Sequence, residues 1–268
     1  MSAPVRTNEL GQPIGPALPY WTPPPMPPAT PMTGRVCALR PLTPTHAPAL
    51  WAAFSLDRDG RDWTYLSHGP YARYEDFAYW VADASASADP QFFGIEVLGE
   101  LAHRATPRPF SAPTSASAAT SAPPSSASQV GIASYLRITP ASGVIEVGHI
   151  HYSPRLQQTP AATEAMYLMM RRAFELGYRR CEWKCDALNA PSRRSAQRLG
   201  FSFEGVFRQA IVTKGRSRDT AWYACLDREW PALRDAFERW LAPANFDVDG
   251  RQIESLSLLT APLLVARG

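Results

Sequence analysis

Asn189 and Ser192 stand three residues apart in L-N-A-P-S-R-R-S-A-Q-R-L-G-F, where an apolar run gives way to a short helical pattern. Side-chain oxygens at such a junction can cap a helix or meet a ligand at a strand end. Upstream, the turn Gln157-Gln158-Thr159-Pro160-Ala161-Ala162 runs into A-T-E-A. A turn ahead of a helix offers unpaired N–H groups and the positive end of the helix dipole, a setting for an anionic ligand, although it also suits an ordinary helix start. Between them in chemical interest lies V-I-E-V-G-H-I-H-Y, with Glu146 on a mostly apolar strand. A carboxylate there either faces water or sits in a cleft, where burial would raise its pKa toward that of a general base. His149 and His151, at i and i+2, could ligate zinc, but no third ligand follows at a suitable spacing, so no metal is expected. They read as cleft-wall residues or satisfied structural histidines.

The elements that must position these groups follow from periodicity. Arg35–Leu42 alternates as a first strand, Thr45 is placed to cap a helix through Phe54, and Tyr74 to Ala84 puts Phe77, Trp80 and Val81 on one helical face. Strands are predicted at Phe92–Leu98, Gln129–Ile138, Val144–Tyr152 and Arg180–Asp186, and in a final pair, Phe203–Arg208 and Thr220–Leu226, around a basic loop K-G-R-S-R. Helices are predicted over Ala161–Leu176, Ser192–Leu199 and Trp230–Leu241. The order β-α-α-β-β-β-α-β-α-β-β implies an α/β fold, a mixed twisted sheet flanked by helices.

Composition divides the 268 residues. Residues 1–33 carry ten prolines and read as a disordered tail or an extended arm. Residues 34–243 form one domain, interrupted at about 101–128 by a Ser/Ala/Pro insertion too poor in apolar surface to order itself, and 244–268 form a tail. A net charge of +3 argues against nucleic acid as a partner, and no run reaches the ~18–20 apolar residues that would span a membrane. Without a recognisable signal peptide, a cytoplasmic location is expected, with Cys37, Cys181, Cys185 and Cys225 as reduced, mostly buried thiols.

The segment Ile145–Gly200 resembles the acyl-CoA site of the GNAT N-acetyltransferases, and within them the ribosomal-protein N-terminal acetyltransferase branch. The resemblance covers roughly residues 34–230. It implies acetyl-CoA as co-substrate and direct attack by a primary amine, of a small molecule or a peptide, in a monomer or homodimer that needs no metal. On the family's pattern the backbone of His151, Tyr152 and Ser153 meets the pantetheine arm. Gln157, Gln158, Thr159, Ala161 and Ala162 hold the pyrophosphate, and Asn189 and Ser192 complete the cofactor set. The family's two turn glycines fall at Gln158 and Pro160, and its usual tyrosine acid falls at Ala196. Ser192 stands in as the acid, as in some relatives. Glu146 is the expected base, with Glu96 competing, and Glu96, His149, Trp63 and Tyr65 are placed on the acceptor side. Rival readings are a catalytically impaired acyl-CoA-binding module, and an interaction protein working through its proline arm and Ser/Ala/Pro loop.

Overall fold

The computed structural model describes residues 6–99 and 128–268, so the predicted insertion lies outside the described residues, Ser128 excepted. Among those residues a small exposed hairpin, β1 (Arg6–Thr7) and β2 (Pro13–Ile14), precedes the domain. The domain itself is built on β3 (Met32–Thr33), β4 (Cys37–Pro41), β5 (Gln91–Val97), β6 (Gln129–Thr139), β7 (Val144–Tyr152), β8 (Arg180–Asp186), β9 (Ser202–Thr213) and β10 (Arg216–Leu226). They form one sheet in the order β3-β4-β5-β6-β7-β8-β10-β9. Every neighbouring pair is antiparallel except β7 and β8.

Helices α1 (Ala47–Phe54) and α2 (Tyr74–Ala86) cover one face, where Leu50, Phe54, Phe77 and Val81 bury against Phe92 and Ile132. On the other face lie α3 (Pro160–Glu175) and α5 (Trp230–Leu241), whose apolar sides join the main core with Ile145, Val147 and Trp183. Eleven residues of α3 are buried, so this helix is a core element on more than one stripe. The strength of the hydrophobic periodicity is why α3, β7, β8 and α5 match their predicted spans within a residue.

Several local expectations need correction. Thr45 caps nothing: Pro44–His46 forms a single 3-10 turn that feeds α1. The helix after β8, α4 (Ala190–Arg198), starts earlier than Ser192 because Asn189 caps it, its Oδ1 accepting the Ser192 N–H at 3.1 Å. The basic loop K-G-R-S-R is a two-residue turn, Lys214-Gly215, both with positive φ, and Arg216 and Arg218 belong to β10. Alternation fails there because β9 and β10 shift register between Arg218 and Thr220, where the Gln209 N–H donates to Asp219 Oδ1 at 2.7 Å.

The described part of the proline stretch is an arm on the domain. Arg172 donates to the carbonyls of Thr30 at 2.7 Å and Pro31 at 2.6 Å, and the Tyr178 hydroxyl donates to that of Pro25 at 3.1 Å. It ends in β3, so ordered chain begins before Gly34. The C-terminal tail also docks: Leu256 and Thr260 of α6 (Leu256–Thr260) are fully buried, and the Phe203 N–H donates to Ala266 O.

Candidate active site

The decisive geometry is a parting of strands. β7 and β8 pair only from Val144–Glu146 to Arg180–Glu182 and then diverge. Beyond Glu146 one edge of β7 still pairs with β6, while the edge toward β8 has no neighbouring strand. A bulge helps to turn β7 there: His149 has φ 46°, and its Nδ1 lies 3.0 Å from Ser134 Oγ. The wedge opens into a cleft of about 1820 Å3 that runs from the Arg61–Tyr65 loop, past Ile150–Tyr152 and Trp183, to the C-terminal residues 246–257.

The start of α3 forms the floor of this cleft. Thr159 caps the helix, its Oγ1 accepting the Ala162 N–H at 3.2 Å, and Pro160 fills the first helical position, where no N–H is needed. Gln158 adopts φ 59°, the left-handed conformation that a glycine takes without strain. A non-glycine residue thus keeps the turn's shape. The N–H groups of Gln158 and Ala161 meet no acceptor among the described residues, leaving two donors at the helix's positive end.

Arg198 and Arg194 line the cleft beyond this turn, with Arg251 from the docked tail. The Arg198 guanidinium donates to Thr163 Oγ1 at 3.0 Å and lies 5.1 Å over the Trp240 ring, with burial pulling its pKa below the ordinary value. It has no carboxylate partner among the described residues. Such a cation is suited to an incoming anion.

On the opposite side of the turn, Gln157 does not present its amide to the cleft floor. Its Nε2 donates to Asp62 Oδ2 at 2.7 Å and to Tyr152 O at 2.8 Å, tying the end of β7 to the α1–α2 loop. The Tyr65 hydroxyl crosses to Leu188 O at 3.2 Å, and Lys214 at the hairpin tip donates to Trp63 O at 2.8 Å. These contacts roof the wedge. Trp63 itself stands behind the wall, edge-on to His151 at 4.2 Å.

His151 lines the cleft, is 4 % exposed and stacks on Phe54 at 3.8 Å, yet neither ring nitrogen has a partner among the described residues. Burial, with the His68 charge adding to it, pushes its pKa down to about 3. The ring is therefore neutral in the folded protein at pH 6 but about three-quarters protonated in an unfolded chain of ordinary pKa 6.5. The unfolded state then binds more protons, so stability falls as pH drops from 6.5 toward 3, by up to about 1.4 kcal/mol per pH unit from this ring. His151→Phe should flatten the pH dependence of urea unfolding between pH 5 and 6.5 by about one proton. An unchanged slope would show that His151 is charged in the fold.

The three expected proton carriers and contacts that lie elsewhere are Glu146, Glu96 and His149; none lines the cleft. Glu146 is buried on the sheet face opposite α3, and both its oxygens are engaged, by Arg137 at 2.8 Å and Lys184 at 2.9 Å. Burial pushes its carboxyl up against the pull of those two cations. A carboxylate so held is spent on two neighbouring cations, away from the cleft. Glu96 pairs with Arg40 at 2.6 Å on the far side of β5, and His149 packs on Phe92. Arg194 belongs to the pair Arg193-Arg194, one of the basic pairs that the sequence offers for phosphate, whereas Arg198, Arg251, Asp62 and Trp183 stand outside the candidates read from it.

Comparison with known proteins agrees with this geometry. A family model described as "Acetyltransferase (GNAT) domain" matches residues 37–202. A GCN5-related N-acetyltransferase from Brucella melitensis is 41% identical, with a TM-score of 0.79, over 91% of this chain and all of that one. The uncharacterized N-acetyltransferase YnaD of Bacillus subtilis is 30% identical over 86 residues, which is 32% of this chain and 50% of YnaD. The chain thus spans half the length of that curated relative. The acetyltransferase of Salmonella typhimurium that modifies the N-terminal serine of ribosomal protein L7/L12 shares the fold, at 18% identity and a TM-score of 0.55 over 73% of this chain and 98% of its own. With the family matched across more than half its length, on a sheet parted between β7 and β8, the chain belongs to the GNAT acetyltransferases.

Proposed function

We propose that this protein transfers an acetyl group from acetyl-CoA directly to a primary amine, and that the parted β7–β8 edge is the observation that carries this reading. An unpaired strand edge at the C-terminal half of β7 offers backbone partners to the pantetheine amides, from His151 to Ser153. The Gln158 and Ala161 N–H groups face the pyrophosphate, and Arg198 lies within the same cleft to neutralise phosphate. Asn189 uses its Oδ1 on the helix cap and keeps its NH2 as a donor to the ligand. Glu146 serves the ion network of the sheet rather than proton abstraction.

The acceptor enters beside Asp62, Tyr65 and His151. The amine gives up its proton to water in the cleft and attacks the thioester carbon as the free base. The amine forms the new C–N bond, the C–S bond breaks, and Ser192 donates a hydrogen bond to the departing sulfur. Net, the proton lost by nitrogen is gained by sulfur.

Calorimetry with acetyl-CoA, followed by free-thiol release over a panel of peptides and small amines, tests this reading. Arg198→Gln should weaken acetyl-CoA binding about 10- to 100-fold, in line with losing a charge-assisted hydrogen bond of about 1.5–3 kcal/mol. Absence of binding by the unaltered protein would overturn the proposal, and binding without thiol release from any amine would leave a binding module.

A further inference from the structure

We infer that Trp183 is a positioning residue that turns the Ser192 hydroxyl toward the departing thiolate; this rests on the role given to Ser192 above. Trp183 lies on β8 where that strand has left β7, with its ring 5.7 Å from that of Phe201 and 5 % of the residue exposed. Its Nε1 is 3.0 Å from Ser192 Oγ, and both residues line the cleft.

The direction of this bond is fixed by chemistry. An indole N–H only donates, so the serine oxygen must accept, and the hydroxyl hydrogen has to swing away from the ring. It meets no oxygen or nitrogen acceptor among the described residues. The carbonyl four residues back, Leu188 O, already receives the Tyr65 hydroxyl and the Ala190 N–H at 2.9 Å. Cys185 is the neighbouring sulfur: burial pushes its thiol up against the pull of the Ser192 hydroxyl and nearby arginines, so it stays a neutral thiol, a weak acceptor that an incoming thiolate outcompetes. The open direction is the cleft. Donation from the indole also polarises the hydroxyl, which makes its O–H a better donor to negative charge developing on sulfur.

The step balances without a further reagent. The C–S bonding pair goes to sulfur, the Ser192 O–H stabilises that charge, and the surplus proton of the attacking amine neutralises it. Trp183 is given no direct part in the reaction with either substrate. It acts through Ser192.

A double-mutant cycle on the full chain tests this, reading kcat and the KM for acetyl-CoA with an amine the enzyme turns over. Trp183→Phe keeps the ring packing and removes the N–H. It should lower kcat about 5- to 10-fold, with KM changed less than twofold, and it should cause no further loss in a Ser192→Ala background. Should the phenylalanine variant not fold, 3-benzothienylalanine at position 183, which replaces N–H by sulfur in the same ring frame, carries the same comparison. Equal losses in both backgrounds, or no loss beside an intact Ser192, would overturn the inference while leaving the Ser192 reading standing. A Ser192→Ala enzyme with unchanged kcat would remove both.

Discussion

Ser192→Ala is expected to lower kcat by about 10- to 100-fold while leaving acetyl-CoA binding nearly intact. Proton transfer or hydrogen-bond donation in a transition state contributes about 10²–10⁴-fold, and a thiolate, already a fair leaving group, places this enzyme at or below the lower end of that range. Binding is spared because the α4 cap does not depend on the hydroxyl: Asn189 receives the Ser192 backbone N–H. Steady-state kinetics beside calorimetric binding separate the two effects. A variant that loses affinity and rate together would mean that the hydroxyl only helps to hold the cofactor.

The second large effect is on stability. Glu164 sits within α3, 4 % exposed, and its carboxylate accepts the backbone N–H groups of Arg35 at 2.9 Å, Val36 at 2.7 Å and Cys37 at 2.9 Å. A buried carboxylate is tolerated here because three donors replace its water. The chain approaches so closely that a Cβ on Gly34 would fall 2.4 Å from Glu164 Cδ. Glu164→Ala removes the acceptor and strands three N–H groups at the start of β4. The expected loss is about 3–5 kcal/mol in urea unfolding, with an unchanged m-value. A loss below about 1 kcal/mol would show that water or a backbone shift replaces the carboxylate.

Those two sites differ in how far the sequence reveals them. Ser192 was visible because helix starts after an asparagine and a proline are short-range features. Glu164 was read as part of a helix start motif, and nothing local announces that its partners lie more than a hundred residues away. The same contrast runs through the fold. α3 and β8 are legible because their apolar periods are long and unbroken, whereas the bulged hairpin lost its alternation at Gln209 and Asp219. Glu146 misled for a related reason. Its apolar strand left two outcomes open, water or a cleft, and the structure gives neither, because Glu146 is buried between cations that come from β6 and β8. Arg198 of the cleft is hidden among ordinary basic helix residues, beside the pair Arg193-Arg194 that does stand out. What singles out Arg198 is a tryptophan from α5 and a threonine from α3, a tertiary event.

The parting of β7 from β8 has a mechanical meaning. The sheet is two panels, five strands on one side and three on the other, joined edge to edge by only three residue pairs and backed by α3. A thioester arm lying in the gap would supply the missing rungs and act as a keystone between the panels. Seating that arm would then stiffen the frame that carries β8 and α4 on one panel and the end of β7 on the other, and free CoA, which has the same arm, would brace it as acetyl-CoA does.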